Sequence, residues 1–329
     1  MTVFVASSRE AANQLTDETS TPFIIAHEFF DALPIHIFQN VSDSQIPASS
    51  TILTPTGPIK PRTGPQVPKN QWHELVVSPM TTSSDTQVSS SSSSREPTPE
   101  FHLTISKTPT PHSLYLPKIS QRYRNLENTP DAIIEISPES LSYIDDFAVR
   151  IGGSNAPEPS PTPTPASVRP LTKSHSTPTP PFRKPNPSGA ALILDYGPLS
   201  TIPANTLRGI RAHRPCSPFV QPGLVDLSAD VDFLALAESA IKASPGVEIH
   251  GPVEQSFFLS AIGIKERAGA LLEKAEDEDT KARLETAWKR LVDRGPTGMG
   301  RIYKAMAILP YIEGAKVRRP VGFGGHVVQ

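Results

Sequence analysis

Cysteine occurs once in the 329 residues, at Cys216, which rules out an internal disulfide and any paired-cysteine metal knuckle. Charge of one sign is not in excess. A formal net charge of -2 from 31 basic and 33 acidic side chains leaves no electrostatic footprint for nucleic acid or an anionic membrane. No segment approaches the roughly 20 apolar residues needed to span a bilayer, so the chain reads as soluble with no membrane span. The opening MTVFVASSREAANQLTDETS has one arginine and three acids, wrong for a secretory signal and poor for a mitochondrial presequence, so the natural beginning is expected to lie upstream or the protein to stay in the cytosol. The nine histidines show no metal-ligand spacing and no serine sits in a nucleophile elbow. No metal is expected, and hydrolase and metalloenzyme readings are weak.

Proline is abundant, at 37 residues. Two tracts stand out, a serine-rich one over 78–99 and a Pro/Ser/Thr one over 154–188 that carries Arg169, Lys173, Arg183 and Lys184. Neither can bury enough apolar surface to offset its ordering entropy. They read as disordered inserts in one folded unit. Residues 1–77 start an α/β domain, 100–153 continue it, and 189–329 form its C-terminal part.

The chain is organised around PFIIAHEFFDALPIHIFQ, residues 22–39. A short apolar run after Pro22 predicts a strand at Phe23, buried on both faces as in a parallel sheet. The carboxylates Glu28 and Asp31 follow at its carboxyl end, where ligands bind in open α/β sheets. They can converge on one ligand if Phe29 begins a helical turn, and such a pair suits a guanidinium. The competing reading makes one of them a cap paired with a nearby arginine, and residues alone leave both open.

Further strands are expected at 35–41, 71–77 and 101–105, with helical turns at 8–15. DAIIEISPESLSYIDDFAVRIGG predicts a strand and then a helix with Ser137 as N-cap, Pro138 at its first position and Gly152 and Gly153 as its stop. With the strand GAALILDYG after it, that helix reads as a βαβ crossover. The second strand ends in Asp195 and Tyr196, close to Glu28 if the strands are parallel, although an Asx-type turn before Gly197 is the simpler account of the aspartate. Residues 206–233 read as a connection whose Arg208, Arg211, His213 and Arg214 could grip an anion or be plain solvated charges. Helices are expected at 234–243, 255–274 and 280–293, with strands at 246–250 and 301–309. Gly322 and Gly324 have no helix behind them and do not make a phosphate loop.

HEFFDALP at 27–34, IEISPE at 134–139, ALILDYG at 191–197, TLRGIRAH at 206–213, PGLVDLSADVDF at 222–233, GPVEQSFFLSAIGIKER at 251–267, and MG with YK at 299–304 occur in the order seen in the MidA-type methyltransferases. The chain resembles that family over most of its length outside the two inserts. The resemblance implies the C-terminal part of a class I, Rossmann-like methyltransferase sheet with extra helices and strands, using S-adenosylmethionine. Mitochondrial members are similar to protein arginine methyltransferases that symmetrically dimethylate a subunit of respiratory complex I during its assembly. A protein substrate and mitochondrial localisation are therefore implied. Glu28 and Asp31 become the catalytic, substrate-orienting carboxylates, with His27, Pro34, Asp195 and Tyr196 as site wall. The family more often has Asn where His27 stands. Its Gly-rich turn after the first strand, and the acidic residue after the second, do not precede Phe23, so cofactor-binding residues stay unassigned. The alternative is a non-catalytic relative that contacts an assembly partner.

Overall fold

The computed structural model describes residues 3–4, 20–42, 52–54, 57–59, 70–80, 99–154, 184–314 and 319–324. The expected helical turns at 8–15 and most of both expected inserts lie outside them. The chain forms two compact units, each assembled from separated segments.

The first unit comprises Met1–His27, Leu141–Leu194 and Leu236–Gln329. Its sheet joins β1 (Val3–Phe4), β2 (Phe23–His27), β9 (Ala190–Tyr196), β14 (Tyr303–Pro310) and β13 (Val247–Glu254), in that spatial order. β2 runs parallel to β1 and to β9, with His27 level with Leu194, while β13 and β14 are antiparallel. The core is small and tight: Ile144, Ala148, Ile151, Ala191, Ile193, Ala240, Met306 and Ile308 are all buried. Parallel pairing does not bury β2 on both faces as its apolar run predicts. Ala26 is inside, but Ile25 is 57 % exposed and Phe23 is exposed too.

Helix α3 (Pro138–Gly152) starts as the sequence requires, with Ser137 Oγ accepting the Ser140 N–H at 3.1 Å. It stops at Gly153, whose φ of 82° suits only glycine without strain. Its Ile144, Ala148 and Ile151 stripe is buried, and its Asp145 accepts from Ser239 Oγ of α4 (Phe233–Ala243) at 2.6 Å. The helix is not a βαβ crossover. The strand before it, β8 (Ile133–Ile136), pairs antiparallel with β3 (His36–Ser42) in another sheet, so the helix joins two sheets rather than two neighbours of one. The expected helix over 255–274 is two, α5 (Gln255–Ala261) and α6 (Ile264–Lys274), because Gly263 adopts φ 85° between them. α7 (Glu278–Val292) follows, capped by Asp277 on the Thr280 N–H at 2.7 Å.

Lys184, expected in the solvated second insert, is instead buried. Its ammonium donates to the carbonyls of Ser20, Arg150 and Ser188 at 2.9, 2.6 and 3.0 Å. The Arg150 carbonyl lies in the last turn of α3, where a helix has acceptors without partners of its own and a cation is favoured.

The second unit comprises Glu28–Ser140 and Asp195–Ala235. It holds an antiparallel pair, β4 (Ile52–Thr54) with β5 (Gly57–Ile59), and an antiparallel sheet in the order β7 (Phe101–Ile105), β6 (Asn70–Pro79), β3, β8. β6 reaches two residues into the segment expected to be disordered, because Ser78 and Pro79 pair with His102 and Phe101. Phe38, Val41, Trp72, Ile134 and Ile136 build the core on this sheet. Short helices α1 (Pro111–Tyr115) and α2 (Gln121–Arg124), not read from the sequence, follow β7. The expected connection over 206–233 contains a three-stranded sheet instead: β10 (Arg208–Arg211) is flanked by β11 (Arg214–Cys216) and β12 (Asp226–Ser228). Ala212 and His213 turn the first hairpin with φ of 48° and 60°, the paired positive values of a type I′ turn. Among the described residues no helix is long and apolar enough to cross a membrane.

Candidate active site

The residues after β2 make a turn rather than the start of a helix, and its geometry depends on Asp195. Glu28 opens the turn at φ 47°, in the left-handed region that a branched or long side chain enters at a cost. The next three backbone N–H groups, of Phe29, Phe30 and Asp31, then point at one atom. Asp195 Oδ2 accepts them at 3.1, 2.9 and 3.4 Å, and Asp195 Oδ1 accepts the Tyr196 N–H at 2.8 Å. Parallel register places Asp195 there, since Leu194 is level with His27 one residue earlier. The carboxylate thus offsets the strain of Glu28 with a nest of donors.

Asp195 is fully buried, and burial, followed by the charge of Asp31, pushes its pKa up to about 7 against the opposing pull of the backbone donors. Asp31 is buried at 8 % exposure. Burial raises its pKa as well, with the Ser228 hydroxyl and Arg208 working against burial and the Glu28 charge working with it. Ser228 Oγ donates to Asp31 Oδ2 at 2.9 Å, and the Asp31 carbonyl accepts the Ala229 N–H at 2.9 Å. Asp31 Oδ1 is buried and has no hydrogen-bond partner among the described residues. A buried carboxylate oxygen without a donor costs free energy until a donor arrives. Because the Asp31 charge is one of the causes that raise Asp195, the two titrations are linked.

Around this pair runs a polar chain that sequence reading missed in part. Glu135 of β8 accepts the Thr206 N–H at 2.8 Å and its hydroxyl. Thr206 Oγ1 in turn accepts the Asp230 N–H at 2.8 Å, and Asp230 receives Arg208 Nη1 at 2.7 Å. The Arg208 guanidinium lies 5.2 Å over the Tyr196 ring. Asp232 is occupied structurally, by Arg122 at 2.7 and 3.0 Å, by the Tyr123 hydroxyl at 3.0 Å and by the Ala235 N–H at 3.1 Å. The basic cluster does not converge on an anion: Arg208 pairs with Asp230, and Arg211 donates to Gln221.

The structure therefore brings Asp31, Asp195, Tyr196, Ser228 and Arg208 together in the second unit. Glu28 is exposed at the tip of the same turn, and Pro34, also exposed, closes it. His27 ends β2 in the first unit, exposed, with its ring 6.4 Å from that of Tyr303 and nearly parallel to it. Ser228 and Glu135 carried no signal of their own in the sequence, since each acts only through a partner about 70 to 200 positions away. The arrangement can accept hydrogen bonds from a cationic or N–H-rich group and can hold one proton near neutrality.

Residues 8–253 match the family described as putative S-adenosyl-L-methionine-dependent methyltransferases, and the chain belongs to it. The cofactor class is accordingly S-adenosylmethionine. Among curated relatives, the chain is similar to the mouse protein arginine methyltransferase NDUFAF7, mitochondrial, at 26 % identity over 87 % of this chain and 45 % of the relative. The human protein of the same name is 27 % identical over 90 % and 48 %, and that of Xenopus laevis 37 % identical over 37 % and 27 %. The chain spans about half the length of the first two. Two solved structures from Burkholderia thailandensis share the fold at 17 % identity. One has a TM-score of 0.53 and matches 94 % of this chain and 58 % of that one. The other, a likely methyl transferase bound to S-adenosyl-homocysteine, scores 0.51 over 94 % and 56 %.

Proposed function

We propose that this chain carries the acceptor-orienting part of an S-adenosylmethionine-dependent protein arginine methyltransferase, in which Glu28 and Asp31 hold the substrate guanidinium. The observation that carries the reading is Asp31 Oδ1, a buried acceptor with no donor among the described residues, set on the same turn as the exposed Glu28 carboxylate. A guanidinium offers N–H donors in a fixed fork and satisfies such acceptors with defined geometry. Methyl transfer needs the acceptor nitrogen aimed at the sulfonium methyl more than it needs a strong base. The cofactor supplies that methyl group. The residues described here fit the acceptor side, and the cofactor's own contacts are not assigned to them.

Asp195 acts through the turn: the three N–H bonds it accepts from Phe29, Phe30 and Asp31 hold the turn that carries Glu28 and Asp31, which makes it a positioning residue. Tyr196, under Arg208, and Pro34 form the wall. The names of the relatives support a protein substrate and a mitochondrial setting. On this reading the substrate is a complex I subunit, the product is symmetric dimethylarginine, and the role is in assembly of that complex. In a protein of the relatives' full length, Glu28→Gln and Asp31→Asn are each expected to lower methylation about 100-fold or more, with circular dichroism unchanged. Methylation at the parent rate in both variants would sink the assignment.

A further inference from the structure

His36, Glu74 and His112 are far apart in the chain and meet in the second unit. Phe38 of β3 is level with Glu74 of β6, so His36, two residues along, shares its face of the sheet. His36 Nδ1 lies 2.5 Å from Glu74 Oε1. His112 enters from α1, and its ring centroid is 4.1 Å from that of His36 at a tilt of 45°. One nitrogen or oxygen from each of the three lies within 4.8 Å of those of the others.

We propose that these three side chains form a binding site for a divalent transition-metal ion of the zinc class. Two imidazole nitrogens and a carboxylate oxygen are ligands zinc accepts, at about 2.0–2.2 Å, and a tetrahedral ion holds its ligands about 3.4 Å apart. The His36–Glu74 separation of 2.5 Å is shorter than that spacing and no pair of ligand atoms is more than 4.8 Å apart, so side-chain rotation without backbone movement is what closing on an ion requires. A fourth position stays open for water. The carboxylate is already oriented: Thr110 Oγ1 donates to Glu74 Oε2 at 2.5 Å, leaving Oε1 toward the imidazoles. A hydrogen-bonded second oxygen is the usual support of a ligating carboxylate. Thr110 is also the N-cap of α1, taking part in a reciprocal capping box with Ser113. The same residue therefore sets the carboxylate and the helix that presents His112. His36 and Glu74 are half-buried to nearly buried, while His112 is exposed and gives an ion a way in.

Bound there, the ion would clip α1 to the β3–β6 pair. A helix of five residues has too few hydrogen bonds to hold itself, so an external clip matters more there than on a long helix. The site stands independently of the methyltransferase reading, and its test does not use catalysis.

The test uses the full chain, stripped with chelator and titrated with Co²⁺ as the spectroscopic probe. One equivalent is expected to bind with the visible bands of a four-coordinate ion, to be displaced by Zn²⁺, and to raise the melting temperature. His112→Ala, on an exposed side chain, keeps the fold by circular dichroism and is expected to weaken Co²⁺ binding tenfold or more. Glu74→Gln, which keeps the shape and the Thr110 contact, is expected to do the same. Absence of stoichiometric binding by the parent chain would overturn the site, and so would binding of equal strength in both variants.

Discussion

Replacing Asp195 by Asn tests how the turn after β2 is held. The side chain is fully buried and its pKa is pushed from the ordinary 3.8 to about 7, first by burial and then by the Asp31 charge. At about 1.4 kcal/mol for each pH unit, that displacement is worth about 4 kcal/mol. The folded pKa lies above the unfolded one, so between about pH 4 and pH 7 the folded chain keeps a proton that the unfolded chain has released. The stabilisation is fully present below about pH 4 and is lost as pH rises through about 7. Asn keeps the shape and can accept N–H bonds through its amide oxygen, but it does not titrate. The stability of Asp195→Asn relative to the parent chain is therefore expected to climb by about 4 kcal/mol between about pH 4 and pH 8. Denaturant melts of both proteins at matched pH measure this, and the difference cancels the shared carboxyls other than Asp31, whose charge acts on Asp195. Carbon-13 NMR of aspartate carboxyls gives the direct check, a resonance with a midpoint near 7 that vanishes in the variant. A difference that stays flat across the range, with every aspartate titrating below about pH 5, would refute the reasoning.

Lys184→Ala leaves three carbonyls in the first unit without the ammonium that serves them, and is expected to cost about 2–4 kcal/mol by urea denaturation. Lys184→Arg, with a longer and planar head, is expected to recover only part of that. Gly152→Ala puts a Cβ 2.4 Å from Ser244 Oγ and 2.5 Å from the Gly246 carbonyl carbon. Backbone cannot yield there as a flexible side chain could, so a loss of about 2–3 kcal/mol or failure to fold is expected, read as a fall in melting temperature or soluble yield.

Local rules served well where the decisive partner is close in the chain. Ser137, Pro138 and Gly153 delimit α3 through contacts within four residues, and the apolar stripe of that helix is buried as its period requires. The same logic failed where a conformation runs against the residue type. Ala212 and His213 adopt positive φ without being Asn or Gly, so the hairpin at 208–216 left no turn signal. Gly263, by contrast, was visible, yet a glycine inside a helical pattern is tolerated too often to mark a break. Lys184 looked like solvated linker because composition cannot show that three carbonyls surround its ammonium.

At the candidate site, chain order alone supplied the acidic strand end, the second strand ending in Asp195 and the family that the ordered blocks resemble. Short-range chemistry is enough for those, because strand ends and motif order are one-dimensional facts. Which carboxylate does what is three-dimensional. Parallel register sets Asp195 beneath the N–H groups of Phe29 to Asp31, and Ser228, 197 positions away, decides which oxygen of Asp31 is left without a donor. The same holds for His36, Glu74 and His112, whose spacing in the chain matches no metal pattern and whose meeting depends on the pairing of β3 with β6 and the docking of α1. Burial, not residue type, raises the pKa of Asp195, and burial comes only from folding.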